Sequence, residues 1–183
     1  MILVSAWEGR RLFDGLRLRL GSNNEVSLGQ GLALVSGVII NIHIIARDAG
    51  ATADWYCSVL GAREEHRITL ADGRLIDVEL WFGDSKIVLA DEFPEQSALS
   101  PKTTGASSAV FYLPTDDVDG LLERAVAAGA EVIRPAADWF TGERDAQITD
   151  PFGHRWGLTQ HIRDVPGDEI ERAAVEAFRG THA

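Results

Sequence analysis

An α+β fold built from two copies of a βαβββ module is what this 183-residue chain predicts, on three observations. The segment IARDAGATADWYCSVLGARE (45–64) lines up without gaps on LPTDDVDGLLERAVAAGAEV (113–132), and internal repetition of this kind marks a duplicated supersecondary unit. In both copies a strand runs into an Asp, a helix follows, and the helix closes at a Gly-Ala pair. After each helix come short alternating segments separated by turn residues. Two curved mixed sheets enclosing a cleft are the expected result.

The elements follow in order. An N-terminal arm, 1–36, contains RRLFDGLRLRL, where Asp14-Gly15 between apolar–basic runs is a hairpin signal because those residues tolerate positive φ. A single domain is expected over 37–162. Its first module, 37–92, opens with a strand over 38–46. Asp48 is placed to cap the helix N-terminus and Gly61 to supply the left-handed residue just past its end. Alternating segments then fall at 62–70, 74–82 and 86–91, with turns at Asp72-Gly73 and Gly83-Asp84. Residues 93–105, FPEQSALSPKTTG, read as a linker. The second module, 106–160, repeats the pattern with Asp116 as the cap, Gly129 past the helix, strands at 131–135, 144–149 and 154–160, and a turn at Asp150-Pro-Phe-Gly153. In the tail, 163–183, PGDEIERAAVEAFRG (166–180) has helical periodicity.

Composition narrows the function. With 45% apolar and 25% charged residues the chain is ordinary globular material, and a single Cys57 cannot build a disulfide scaffold. The net charge of −11, from 28 acidic and 17 basic residues, disfavours nucleic acid and anionic membrane as partners. The longest uncharged stretch, Gly31 to Ala46, contains Asn41 and His43 and is too short to span a bilayer. The arginines near the start follow the apolar residues instead of preceding them, unlike an export signal. A cytoplasmic protein is expected.

Strand alternation sorts the faces. Val38, Ile40, Ile42, Ile44 and Ala46 form an apolar face, opposite Ile39, Asn41, His43 and Ile45. Ile76, Val78, Leu80 and Phe82 oppose Leu75, Asp77, Glu79 and Trp81; Ala109, Phe111 and Leu113 oppose Ser108, Val110 and Tyr112; Trp156 and Leu158 oppose Arg155, Gly157 and Thr159. Each strand therefore has one face for the helices and one that mixes apolar and polar groups. A solvated surface is one reading of the mixed faces. The other is a ligand cleft, since a few polar anchors among apolar walls is the composition of small-molecule sites.

The doubled βαβββ unit, the D-x6-W-Y turn and helix from Asp48 to Trp55-Tyr56, and the closing DPFGHRWGL (150–158) resemble the vicinal oxygen chelate superfamily. That group includes glyoxalase I, extradiol dioxygenases, fosfomycin-resistance enzymes and bleomycin-resistance proteins. The resemblance spans about 37–162, and DPFGHRWGL with HIRDVPGDEIERA is similar to its uncharacterised glyoxalase-like branch. Metalloenzymes of the superfamily carry four inward ligands, usually His, Glu, His and Glu. Carried onto this chain, those positions fall on Asn41, on Val88 or Leu89, on Val110 and on Gly157. Val and Gly offer no side-chain ligand and Asn is a poor substitute for imidazole, so no metal is expected at the usual site. A displaced divalent metal, with His43 and Glu79 or Asp91, is the alternative.

Candidate ligand-binding residues are Asn41, His43, Trp81, Ser108, Tyr112 and Arg155. His43 oriented by Glu79 (or Asp77) would be the catalytic pair if the protein turns over, because imidazole titrates near neutrality. Cys57 reads as a packed thiol, and His66 and His154 as surface residues. Trp139-Phe140 fits either a stacking wall or ordinary core. Three functions stay open: metal-free binding of an aromatic or amphipathic small molecule, as in bleomycin-resistance proteins; proton-transfer or displaced-metal chemistry on a small oxygenated substrate; and a vestigial cleft in a protein acting through assembly. A homodimer without cofactor is the expected state.

Overall fold

The computed structural model describes residues 41–177 and 179. The N-terminal arm with its expected hairpin, residue 37, and residues 38–40 of the first strand lie outside the described residues. The first module runs β1 (Ile42–Ala46), α1 (Ala49–Val59), β2 (Arg63–Thr69), β3 (Leu75–Phe82) and β4 (Ser85–Asp91). The second runs β5 (Val110–Pro114), α3 (Val118–Ala127), β6 (Glu131–Asp138), β7 (Glu143–Thr149) and β8 (Arg155–His161). Each forms a four-stranded mixed sheet, of order β1-β4-β3-β2 and β5-β8-β7-β6. The outer pairs β1–β4 and β5–β8 are parallel and the rest antiparallel. The fold is the α+β duplication that the repeat implies.

Local chemistry explains the elements. Asp48, in extended conformation, accepts a hydrogen bond from Ala51 N and so satisfies an open donor of α1. Beyond the two helices, Gly61 (φ 79°) and Gly129 (φ 92°) occupy the left-handed region that a side chain would disfavour. The second cap is Asp117, which accepts from Gly120 N at 2.8 Å, and not Asp116. Two residues instead of one separate β5 from its helix cap, and Thr115 holds the extra residue in place by accepting from Asp117 N.

A second correction concerns β3. Pairing with β2 passes from Ile68↔Asp77 to Thr69↔Leu75, which leaves Ile76 as a bulge. The bulge reverses alternation, so Leu75 enters the core and Ile76 is only half-buried. The expected linker is not plain coil. It contains a 3-10 turn at Pro94–Gln96 and a short helix α2 (Pro101–Thr104), anchored by buried Ser100, whose N and Oγ both donate to Glu92. The strand expected over 131–135 continues to Asp138, and the terminal helix α4 covers Gly167–Ala177. Among the described residues no helix is long and apolar enough to cross a membrane.

One apolar core serves both modules. Trp156 at its centre touches Tyr56, Phe82 and Phe111, with ring centroids 5.0, 5.5 and 5.3 Å away. Leu80, Leu89, Ile148 and Leu158 are fully buried around it. Helices α1 and α3 lie on this side of the sheets, and Trp55 Nε1 donates to the Ala128 carbonyl at the end of α3. The opposite, mixed faces of the two sheets combine exposed, half-buried and buried side chains.

Candidate functional site

The DPFGH run proves to be a buried lock between modules. Asp150 receives the Tyr56 hydroxyl at 2.7 Å and Trp156 Nε1 at 3.1 Å on one oxygen. Its other oxygen accepts the backbone N–H groups of Phe152 and His154, both at 2.9 Å. Burial pulls the Asp150 carboxyl upward, but bonding to His154 and Tyr56 holds it below the ordinary carboxylate value. Burial, reinforced by the Asp150 charge, pushes the Tyr56 phenol well up, so it remains a donor. His154 is 3% exposed, which overturns the surface reading. Its Nδ1 lies 3.2 Å from the Tyr56 hydroxyl, and its Nε2 donates to the Ile45 carbonyl at 3.2 Å.

Beside this lock lies a cavity of about 530 Å³. It occupies the gap between β1 and β5, each an edge strand of its own sheet. Ile42, Ile44, Ile45, Leu99 and Phe111 supply apolar wall; His43, Ser108 and His154 supply polar groups; Ala106 and Ala109 leave the space open. A second cavity of about 330 Å³ lies on the second sheet, lined by Tyr112, Arg134, Trp139, Glu143, Asp145 and Thr159, with Thr141. Trp139 is a stacking wall there: the Arg134 guanidinium lies 4.6 Å from its ring centroid and pairs with Asp145.

The candidate residues thus divide among three places. His43 and Ser108 line the first cavity, and Asn41 is exposed just before β1. Tyr112, 58% exposed, lines the second and accepts from Gln147 Nε2. Arg155 donates to the same Gln147. Trp81 and Glu79 belong to the mixed face of the first sheet. Glu79 does not orient His43: β4 lies between their strands, with His43 beside Val88 and Val88 beside Glu79. Two strand spacings, roughly 9.5 Å, separate the backbones. Glu79 bonds instead to Lys86 Nζ at 2.8 Å and has His66 as its cross-strand neighbour, at 3.8 Å. Asp91 is turned to the helix side, where its carboxylate accepts from Ala49 N and Leu75 N. It cannot join His43 in a displaced metal site. Cys57 is half-buried, and burial pushes its thiol up, away from reactivity.

Sequence reading misplaced His154 and did not single out Arg134 or Gln147, while His66, read as a surface residue, is exposed. The first sits inside the quoted DPFGH run, between aromatic residues, which is a usable sign of burial. His66 and Arg134 each follow a bulge that aims them, at Glu65 and Ile133, and single-strand alternation gives no sign of it.

The usual metal positions of the superfamily do not fit an ion here. Asn41 is exposed, Val88 is 3% exposed and apolar, Leu89 is in the core, and Val110 is apolar. At Gly157 an added Cβ would lie 2.5 Å from the Tyr112 ring, so that ring fills the place of a fourth ligand.

Comparison with known proteins agrees with this architecture. Residues 38–158 match the family model of the Glyoxalase/Bleomycin resistance protein/Dioxygenase superfamily. An uncharacterized protein of Mycobacterium tuberculosis, Rv0887c, is 32% identical over 148 residues, covering 79% of this chain and 87% of that protein. The crystal structure of TioX from Micromonospora superposes with a TM-score of 0.52 at 25% identity, over 69% of this chain and all of TioX. A glyoxalase family protein from Bacillus cereus superposes with a TM-score of 0.59 at 16% identity, covering 73% of this chain and 100% of that one, a likeness of fold alone. With two βαβββ modules, the closing DPFGHRWGL and a family match across both sheets, the chain belongs to the glyoxalase/bleomycin resistance protein/dioxygenase superfamily.

Proposed function

We propose that the chain binds a small amphipathic molecule, with an aromatic or aliphatic body, in the cavity between β1 and β5. The observation that carries this reading is the cavity itself. Its volume of about 530 Å³ lies within the 300–1,000 Å³ of typical ligand sites, and apolar wall with few polar anchors is their usual make-up. His43 and Ser108 orient the ligand, and the charge of −11 favours neutral or cationic molecules over anionic ones. Binding of this kind needs no metal at the four usual positions, and the separation of His43 from Glu79 favours binding over proton transfer.

The test is calorimetric titration of the full chain with a panel of neutral, cationic and anionic aromatic amphiphiles. Neutral or cationic members should bind one to one. Ala109→Trp, which fills the cavity from an exposed position, should weaken binding by at least about tenfold. His43→Ala should cost about 1 kcal/mol, the net worth of one hydrogen bond. Binding indifferent to Ala109→Trp contradicts the proposal.

A further inference from the structure

On the mixed face of the first sheet, away from both cavities, three donor side chains converge. His66 on β2 stands opposite Glu79 on β3, and Asp77 is two residues along the same strand. One donor atom from each of the three lies within 4.8 Å of the others. Asp77 Oδ1 is 3.8 Å from His66 Nε2, and Glu79 Oε2 is 3.8 Å from His66 Nδ1. The remaining Glu79 oxygen is taken by Lys86, so Oε2 is the one turned to the imidazole.

The Asp77 oxygen supplies an independent sign. Oδ1 is fully buried and has no hydrogen-bond partner. A buried carboxylate oxygen left alone costs desolvation without compensation, and most such atoms in native proteins have a partner. Burial, and then the Glu79 charge, raise the Asp77 carboxyl above its ordinary value. A cation held between the three groups relieves both penalties.

We propose that His66, Asp77 and Glu79 form a binding site for a divalent first-row metal ion, held by one nitrogen and two oxygens, with water in the remaining positions. That donor set suits Zn²⁺, Co²⁺ or Mn²⁺. Ligands about 2.1 Å from a tetrahedral ion are roughly 3.4 Å apart; only one imidazole nitrogen can bind, so the three donor atoms, now within 4.8 Å of one another, draw together by up to about 1.4 Å around the ion. The His66 side chain is 48% exposed, which leaves an approach from solvent. These residues are on β2 and β3, whereas the superfamily's usual ligand positions fall on or beside β1, β4, β5 and β8, so the site is a separate one. It is also independent of the cavity reading, whose test contains no metal.

The experiment is titration of the chelator-stripped full chain with Co²⁺ and Zn²⁺, followed by calorimetry and by Co²⁺ visible absorption. One ion per chain is expected. His66→Ala and the nearly isosteric Asp77→Asn should each weaken it by at least about tenfold. Lys86→Gln should strengthen binding, because it frees the second Glu79 oxygen, and a misfolded variant would not show a gain. His161→Ala is the control: His161 contacts Glu143 and Asp164 at 3.0 Å on an exposed surface and should leave affinity unchanged. Absence of saturable binding, equal loss in His161→Ala, or weaker binding in Lys86→Gln would overturn the proposal.

Discussion

The mixed faces of the two sheets can be compared residue by residue. Across the first sheet one row runs His43, Val88, Glu79, His66; across the second the matching row runs Tyr112, Gly157, Gln147, Arg134. Even the bulge is repeated, at Glu65 and at Ile133. Backbone geometry is thus duplicated while the chemistry has diverged. The first row offers imidazoles and a carboxylate. The second offers a phenol, an amide and a guanidinium, with Tyr112 lying over Gly157. Every buried side-chain polar atom without a partner among the described residues is on Asp77, Trp81, Arg134, Trp139 or Arg155. The first two are on β3, Arg134 and Arg155 on β6 and β8, and Trp139 lines the second cavity. The fold determines where a site can be, and the side chains of each row determine what it can hold.

The comparison is broken hardest at the hairpin ends. The β3–β4 turn carries Asp84, exposed, whereas the β7–β8 turn carries Asp150, buried with four donors on its carboxylate. Asp150→Ala should cost about 3–5 kcal/mol in chemical denaturation, since it strips buried donors of their acceptor. Asp84→Ala should stay within about 0.5 kcal/mol. The Asp150 carboxyl is held below its unfolded value of about 3.9, so the stability it contributes is complete above that pH. It is lost as pH falls through the lower folded value. Asp150→Asn should flatten this acid limb of a stability–pH curve.

Smaller effects sharpen the contrast between rows. Gly157→Ala should destabilise by about 1–2 kcal/mol, because the new methyl displaces the Tyr112 ring and its bond from Gln147. In a Tyr112→Ala background the same change should be nearly neutral, a coupling that a double-mutant cycle measures. The mildest test concerns the caps. Asp117→Ala should cost about 1 kcal/mol in thermal or denaturant unfolding and Asp116→Ala close to nothing.

That last pair shows how far the sequence alone carries. Matching 45–64 to 113–132 without a gap sets Asp48 against Asp116. Strand alternation, read separately, puts His43 and Tyr112 on the same class of face, which requires one further residue of offset. Alternation was right because the face a side chain takes is fixed by core packing, whereas a connection tolerates an extra residue. The module order, the turn glycines and the mixed faces are all visible in residue types and spacing. Leu75 was misjudged because a bulge reverses alternation and leaves no mark on a single strand, whereas His66 is exposed as its sequence reading has it. His154 was misjudged because its partners, Tyr56 and the Ile45 carbonyl, are about a hundred residues away in the chain, 98 and 109 positions respectively. Candidate site residues are chosen by type and strand face, but their division among two cavities and a sheet face depends on which edge strands flank the gap.

Binding in that gap is the central claim, and amide shift mapping tests it most directly. The isotopically labelled full chain would be titrated with the tightest binder from the aromatic panel. Saturable shifts concentrated at 42–45 and 104–109, and abolished by Ala109→Trp, are the predicted result. No binder in the panel, or shifts centred on 131–147 with the β1–β5 gap silent, would contradict it.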